Sequence, residues 1–309
     1  MALTVVGSVA FDSVETPFGS RERMLGGAAT HFSLAARFFT DVRVVGVVGD
    51  DFGAAEMDVL ESRGINTDDL ARVPGGKTFF WQGRYDFDLN TAHTLDTQLN
   101  VFGEFDPQLS EAARASDTVF LANIQPDLQR SVREQCADAR FVALDSMNLW
   151  IEIARESLIE TIRLVDGVLI NDAELRELTR EPNLVKAARV VQSWGPRIVV
   201  AKRGEYGAAL FTADGFFALP AFPLEQVLDP TGAGDSLAGG FVGFLGAHAD
   251  AELTDDVARS AMAYGSALAS FNVEEFGTER VQRLTREEID ERVAAFQRMT
   301  QFSALPARV

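Results

Sequence analysis

Short runs of apolar residues alternate with helical patterns along most of the chain. The apolar runs are rich in Val, Ile and Phe and show no alternation, which is typical of strands buried on both faces. They are Leu3–Val9, Val42–Val48, Thr118–Ala122, Phe141–Asp145, Gly167–Asn171 and Arg197–Ala201. The helical patterns between them are Ala28–Phe39, Ala54–Arg63, Leu149–Val165, Ala173–Arg180 and Asn183–Trp194. This order predicts a doubly wound α/β fold, with a mostly parallel sheet and helices on both faces.

A second pattern, with a period of two residues, occupies the segment Thr78–Leu89. The apolar side chains on one face of this segment are Phe79, Trp81, Tyr85, Phe87 and Leu89. After a polar turn near Asn90–His93, the alternation continues at Leu95, Leu99 and Val101. The pattern predicts a half-buried β-hairpin outside the main sheet. Its aromatic face needs a cover, which the main domain, a ligand or a partner subunit would provide.

The chain has 309 residues, enough for one large α/β domain or two smaller ones. No linker, repeat or low-complexity tract interrupts it, so we expect a single domain over residues 1–309. Its single cysteine, Cys136, excludes an intrachain disulfide and is consistent with a reducing compartment. The first residues lack a secretory pattern and no apolar stretch is long enough for a membrane helix, so we expect a cytoplasmic location.

The charge of the chain narrows its set of partners. The net charge is −18. A field of this sign repels nucleic acids and anionic membranes, so neither is expected as a partner. It also repels ATP, so a nucleotide site on this chain has to be locally favourable. Only three lysines are present, Lys77, Lys186 and Lys202.

The segment Asp229-Pro-Thr-Gly-Ala-Gly-Asp-Ser236 carries the strongest chemical signal. Its glycines allow a close approach of the backbone to a ligand, and the small and apolar residues after it suit a buried helix. The N-terminus of such a helix offers free N–H groups to an anion. A carboxylate at Asp235 would be placed to accept a proton from an attacking hydroxyl. The alternative is that Asp235 only caps the helix.

Residues 229–240 resemble the C-terminal signature of the ribokinase-like (PfkB) carbohydrate and nucleoside kinases. The resemblance implies that Asp235 is the catalytic base and that Gly232, Ala233 and Gly234 form the anion hole. It also places Thr231 near the nucleotide phosphates. In some members a monovalent cation such as K⁺ lies near the residue that corresponds to Asp229. Pro230 replaces the threonine that is more usual after that aspartate.

The segment Leu25–Ala36 resembles the N-terminal Gly-Gly signature of the same family. The resemblance implies that Gly26 and Gly27 meet sugar hydroxyls through their backbone amides. It also implies that Asp12, after the first strand, binds substrate hydroxyls, which suits a carboxylate that can accept from two vicinal hydroxyls. His31 takes the place of an asparagine that contacts the sugar in many members. The alternatives are a turn-forming role for Asp12 and a core or capping role for His31.

The nucleotide side is indicated by two further segments. Asn171-Asp-Ala-Glu174 resembles the Asn-x-x-Glu element that the family associates with magnesium and phosphate, and Mg²⁺ needs only one or two carboxylates. Arg197–Phe211 resembles the strand–turn–strand beside the nucleotide, which implies nucleotide contacts by Lys202, Gly204 and Gly207. Helix capping by Asn171 and a solvent-facing Lys202 are the alternatives. Asp145 and Asn123, at the ends of predicted strands, are secondary candidates for which capping is preferred.

The aromatic hairpin corresponds to the lid of the family, with boundaries of about 12–24 and 76–103. A lid excludes water from phosphoryl transfer. Because lids pair between subunits in some relatives, we expect a homodimer through this lid, with a monomer as the alternative.

The resemblance therefore implies an ATP- and Mg²⁺-dependent kinase that phosphorylates a hydroxyl, expected to be a primary CH₂OH, of a sugar or related polyol. A nucleoside is the alternative acceptor, because Phe79, Trp81 and Tyr85, with Phe11, would offer a shelf for a base. A non-catalytic sugar-binding protein is disfavoured because Asp235 and the Gly-Ala-Gly turn are intact. A Rossmann dehydrogenase is disfavoured because the first strand does not lead into G-x-G-x-x-G.

Overall fold

The computed structural model describes residues 2–213, 215–249 and 252–302. Its strands are β1 (Ala2–Val6), β2 (Ala10–Thr16), β3 (Gly19–Gly26), β4 (Asp41–Val48), β5 (Asn66–Arg72), β6 (Phe79–Tyr85), β7 (Ala92–Gln98), β8 (Thr118–Leu121), β9 (Phe141–Leu144), β10 (Gly167–Asn171), β11 (Ile198–Lys202), β12 (Ala208–Phe211) and β13 (Phe216–Leu219). Its helices are α1 (Ala28–Ala36), α2 (Ala54–Glu61), α3 (Glu111–Arg114), α4 (Pro126–Gln135), α5 (Asn148–Ile153), α6 (Arg155–Ile162), α7 (Asp172–Thr179), α8 (Leu184–Trp194), α9 (Ala233–Ala247), α10 (Asp255–Asn272), α11 (Glu279–Gln282) and α12 (Arg286–Thr300).

The larger sheet confirms the predicted fold class. Its spatial order is β13-β12-β11-β10-β9-β8-β1-β4-β5. The strands from β11 to β5 in this order run parallel, whereas β12 and β13 add an antiparallel edge. The apolar runs lack alternation because helices cover both faces of this sheet. Val5 and Val6, neighbours in β1, belong to hydrophobic clusters on opposite faces.

The smaller sheet has the order β3-β2-β6-β7 and contains the predicted hairpin. Strands β6 and β7 pair antiparallel, and β6 lies parallel to β2, so the hairpin is joined to the β2–β3 hairpin. The predicted alternation extends too far, however. Strand β6 ends at Tyr85, and the side chain of Phe87 in the following turn is 85% exposed.

Two further boundaries differ from the prediction. The apolar run Leu3–Val9 is not one strand, because β1 ends at Val6 and β2, in the smaller sheet, begins at Ala10. The helical pattern Leu149–Val165 is divided into α5 and α6 at Ala154, whose φ of −140° is not helical.

The parallel sheet brings the carboxyl ends of β8 to β11 to one edge. The smaller sheet joins this edge because β2 continues from β1. A candidate site at this edge agrees with the general rule for open α/β sheets. None of the helices in the described residues has the length and apolar character required to cross a membrane.

Candidate active site

The N-terminus of helix α9 forms the floor of the candidate site. Gly232 is its N-cap residue, and no side chain among the described residues caps this end of the helix. The Ala233 N–H donates to the Pro230 carbonyl at 3.2 Å, which folds the turn onto itself. Since the first N–H groups of a helix have no intrahelical acceptor, this turn can bind an anion.

Glycine at position 232 is required by two independent features. Its φ of 75° is in the left-handed region, which side chains disfavour. A Cβ atom at this position would also lie only 2.3 Å from Nδ1 of His31. The imidazole therefore packs directly beneath the turn of the predicted anion hole.

Asp235 lies in the first turn of α9, with part of its surface still accessible. Burial raises the pKa of its carboxyl group to about 7; the Asp145 carboxylate adds to the rise and Lys202 opposes it. A carboxyl group with a pKa near neutrality is suited to exchange a proton with a hydroxyl.

Lys202, at the end of β11, contacts the same turn. A Cβ atom at Gly234 would lie 3.1 Å from the lysine Nζ. The Nζ donates to Oδ2 of Asp145 at 2.6 Å, and this aspartate follows directly after β9. Burial alone would lower the pKa of Lys202, but Asp145, Glu174 and Asp235 together raise it above its ordinary value. The lysine is therefore a charged group inside the site and is not a solvent-facing residue.

Asp145, only a secondary candidate in the sequence, contacts a central residue of the site. Its Oδ1 does accept from the neighbouring Ser146 N–H at 2.8 Å, as in a local turn. Its other oxygen, however, holds Lys202 beside Asp235. The signal available in the sequence was its place at the carboxyl end of a buried strand.

Asn171 and Glu174 form a reciprocal capping box at the start of α7. The Glu174 N–H donates to Oδ1 of Asn171 at 2.8 Å, and the Asn171 N–H donates to Oε2 of Glu174 at 2.9 Å. The structure thus contains the capping arrangement, and it leaves Oε1 of Glu174 outside the box. Burial raises the pKa of Glu174 to about 7, against the opposing charge of Lys202.

Asp12 lies against the two glycines of the N-terminal motif. The Gly27 N–H donates to its Oδ2 at 3.4 Å. A Cβ atom at Gly26 would lie 1.9 Å from the same oxygen, so the carboxylate occupies the space of the missing side chain. Burial raises the pKa of Asp12 to about 7, and the carboxylates of Asp229 and Asp235 contribute to this rise.

Two of the aromatic residues of the smaller sheet border Asp12. Trp81 lies opposite Asp12 on the adjacent strand, so the two side chains share a face. A Cβ atom at Gly83 would lie 2.1 Å from Cη2 of Trp81, which shows that the indole lies across this glycine. Further along β6, the Tyr85 hydroxyl is hydrogen-bonded to Oγ1 of Thr231 at 3.2 Å.

The other two aromatic candidates are placed differently. Phe11 is on the opposite face of β2, where its ring packs on Phe52 and beneath the Arg23 guanidinium. Phe11 therefore lies away from the face that Asp12 and Trp81 share. Phe79 stacks on Phe102, with ring centroids 5.2 Å apart.

The turn after β11 contacts the lid hairpin. Gly204 and Gly207 have positive φ values of 53° and 85°. Nδ2 of Asn90, in the turn between β6 and β7, donates to Oε1 of Glu205 at 3.2 Å. The tip of the smaller sheet therefore rests on the predicted nucleotide-side turn.

Comparisons with known proteins agree with this geometry. The sequence pattern described as pfkB family carbohydrate kinase matches residues 3–283. A cytidine kinase of Thermococcus kodakarensis is 30% identical over 248 residues, which cover 78% of this chain and 87% of that protein. An ATP-dependent ribose-1-phosphate kinase of Halopiger xanaduensis is 26% identical, with coverages of 82% and 81%.

A solved structure has the same fold over nearly the whole chain. It is that of a Burkholderia thailandensis nucleoside kinase in complex with inosine, with a TM-score of 0.80 and 21% identity. The match covers 96% of this chain and 98% of that one.

Proposed function

This chain belongs to the pfkB family of carbohydrate kinases, and on that basis we propose that it transfers a phosphoryl group from ATP to a hydroxyl held at Asp12, with Asp235 as general base. The family and the named relatives make the chain an ATP-dependent phosphotransferase that acts on a sugar or nucleoside hydroxyl. The proposal adds that the Gly232–Gly234 turn is the anion hole and that the acceptor group is a primary CH₂OH.

The electrostatic interaction of Asp12 and Asp235 with each other and with Tyr85 supports this proposal best. Burial is the main cause of the raised pKa of Asp12, and the carboxylates of Asp229 and Asp235 add to it. Burial also raises the pKa of Tyr85, and the carboxylates of Asp229, Asp12 and Asp235 add to that rise. A hydroxyl between Asp12 and Asp235 would have one carboxylate to orient it and another to accept its proton. The N-terminus of α9 and the Lys202 ammonium group would stabilise charge on the transferring phosphoryl group.

The charge of the site fits Mg²⁺. In the part of the chain that the structure describes, Lys202 is the one cation that acts on the carboxylates of Asp145, Glu174 and Asp235, so negative charge is in excess there. Oxygen ligands are the ones that Mg²⁺ prefers. Among the described residues, no three acidic, histidine or cysteine side chains are arranged to hold a metal by themselves. Glu174, oriented by Asn171, would therefore hold the ion together with the nucleotide. The ion would supply positive charge to the phosphoryl oxygens.

A K⁺ site at Asp229 is a further part of the proposal. Asp229 is fully buried, and its two carboxylate oxygens accept the N–H groups of Thr231 and Gly277, each at 2.9 Å. Each oxygen keeps a further lone pair that a cation would use. A phosphorylation rate that depends on K⁺ would support this site, and equal rates in KCl and choline chloride would refute it.

The acceptor in the first form of this proposal is a sugar or related polyol, and one observation favours a nucleoside as the second candidate. Trp81 is the register partner of Asp12, its indole lies across Gly83, and its Nε1 donates to Oγ1 of Thr94 at 3.2 Å. A planar base stacked on this ring would leave the ribose hydroxyls near Asp12. Parallel rates with ribose, other sugars, polyols and the common nucleosides would separate the two candidates.

The proposal also covers the domain organisation, the assembly and the location of the protein. A single ribokinase-like domain is supported by the family match over residues 3–283. A homodimer through the lid is supported by the exposure of every residue of β7, including Leu95 at 47%. Light scattering of the chain and of a Leu95→Asp variant tests this assembly. A cytoplasmic location is supported by the use of ATP.

The decisive test of the proposed function is Asp235→Asn in a coupled assay of ADP release. We expect the turnover number to fall by about 10³-fold or more, since the amide cannot accept the hydroxyl proton. Acceptor binding, measured by calorimetry, should change little because Asp12 is intact. Undiminished turnover in this variant would refute the assignment of Asp235 as the base.

A further inference from the structure

Asn272, the last residue of helix α10, is completely buried beneath the candidate anion hole. Its Nδ2 donates to the Thr231 carbonyl at 2.7 Å. Its Oδ1 accepts from the Ser236 hydroxyl at 3.0 Å and contacts Nδ1 of His31 at 3.0 Å. One amide thus connects three segments of the site: the loop before α9, the first turn of α9, and α1.

The chemistry of these partners determines the orientation of the amide. The Thr231 carbonyl can only accept, so the Asn272 NH₂ group has to face it. The Asn272 oxygen then faces Ser236 and His31, and both of these must donate. His31 therefore carries its proton on Nδ1. Burial lowers the pKa of His31, which is consistent with this neutral form.

We propose that Asn272 is a positioning residue for the anion hole and that His31 and Ser236 keep its amide in the required orientation. In a trans peptide unit the C=O and N–H groups point in opposite directions. When Asn272 holds the Thr231 carbonyl on the inner side, the N–H of Gly232 is directed to the outer side of the turn. Gly232 has a left-handed backbone conformation and packs on the His31 ring, and α9 begins directly after it.

A role in core packing alone would not require this residue type. A fully buried side-chain amide costs free energy unless its hydrogen bonds are made, and an apolar residue would fill the same space without that cost. All three partners of Asn272 belong to the elements that form the site. His31 accordingly helps to orient Asn272, which lies on the phosphoryl side of the site. The other ring nitrogen of His31, Nε2, has no hydrogen-bond partner among the described residues.

The inference rests on the proposed function and is tested with Asn272→Asp. This change keeps the shape and the Oδ1 acceptor but replaces the donor to Thr231 with a carboxylate oxygen. We expect the turnover number to fall about 30- to 100-fold, as for a misplaced oxyanion-hole donor. The KM for the acceptor should stay within about twofold, because Asp12 binds it elsewhere.

Asn183→Asp is the matched control, since Asn183 caps α8 through its oxygen and aspartate keeps that bond. It should leave both constants unchanged. Ser236→Ala removes one donor to Asn272 but keeps the bond to Thr231, so it should cost less than Asn272→Asp. If Asn272→Asp does not fold, as judged by thermal unfolding, Asn272→Ser takes its place, because its short side chain cannot reach the Thr231 carbonyl.

The outcomes separate the two proposals. A fall in turnover with an unchanged KM supports the positioning role. An unchanged turnover number, or a parallel change in turnover and KM, overturns it while Asp235→Asn remains inactive. Full activity of Asp235→Asn would instead remove the proposed function on which the inference rests.

Discussion

Asp235→Asn should stabilise the protein at alkaline pH, although we expect it to inactivate the enzyme. Burial raises the pKa of Asp235 from 3.8 to about 7, so the folded chain holds this proton more tightly than the unfolded chain. Between these two pKa values the folded state binds a proton that the unfolded state has lost. The free energy of unfolding therefore falls as pH rises through this window, and the penalty is complete above pH 7.

The size of the effect follows from the same pKa values. The rise from 3.8 to about 7 corresponds to at most about 4 kcal/mol. Part of the surface of Asp235 is still accessible and the helix N-terminus favours its charge, so we expect about 1–2 kcal/mol. For a chain of this size, that is a rise in Tm of about 2–5 °C at pH 8.

Thermal unfolding at pH 8 and pH 5.5 checks this prediction. The variant should be more stable than the wild type at pH 8, the difference should be about half as large at pH 5.5, midway between the two pKa values, and it should vanish only near pH 3.8. Asp256→Asn is the control, because Asp256 is also in the first turn of a helix but its side chain is 94% exposed. A Tm for Asp235→Asn that is equal to or below the wild-type value at pH 8 would refute the argument.

Four further substitutions test the site. Lys202→Met removes a charge that lowers the pKa of Asp235, so the acid limb of the pH–rate profile should move to higher pH by about one unit. Asp145→Asn removes a charge that raises this pKa, so the acid limb should move to lower pH by about one unit. Gly232→Ala should abolish turnover, because its Cβ would lie 2.3 Å from a buried imidazole nitrogen; activity equal to wild type would contradict this. Tyr85→Phe removes the hydrogen bond between the smaller sheet and Thr231, so the acceptor KM in initial-rate assays should rise about two- to tenfold. An unchanged KM would show that this bond does not contribute to acceptor binding.

The main sheet could be predicted because its strands are buried on both faces and therefore read as continuous apolar runs. The edge strand β5 could not, because only Leu70 in Asn66–Arg72 is buried and the rest of the strand is polar or exposed. The break between α5 and α6 also has no local signal, since no Gly or Pro is present there. It accompanies a tertiary contact, in which Nε1 of Trp150 donates to Oδ1 of Asn123 at 3.0 Å.

The site was predictable where a motif is contiguous and unpredictable where its residues meet through the fold. The segment Asp229–Ser236 identified the turn, the helix start and Asp235 from local residue types. The Asp145–Lys202 pair joins the ends of two strands, and Asn272 belongs to a helix in which small and apolar residues surround it. Neither of these contacts has a pattern in the sequence, because each depends on the register of the sheet or on the packing of α10 against α9.

The balance of charge at the site explains how a chain with a net charge of −18 can bind a nucleotide. Asp145 already offsets the charge of Lys202, so the carboxylates of Glu174 and Asp235 remain uncompensated apart from the N-terminus of α9. Free ATP, with its own negative charge, would meet net repulsion there. ATP with a bound divalent cation would bring positive charge to the side where Glu174 lies. The carboxylates at the site would thus favour the metal-bound form of the nucleotide over the free form.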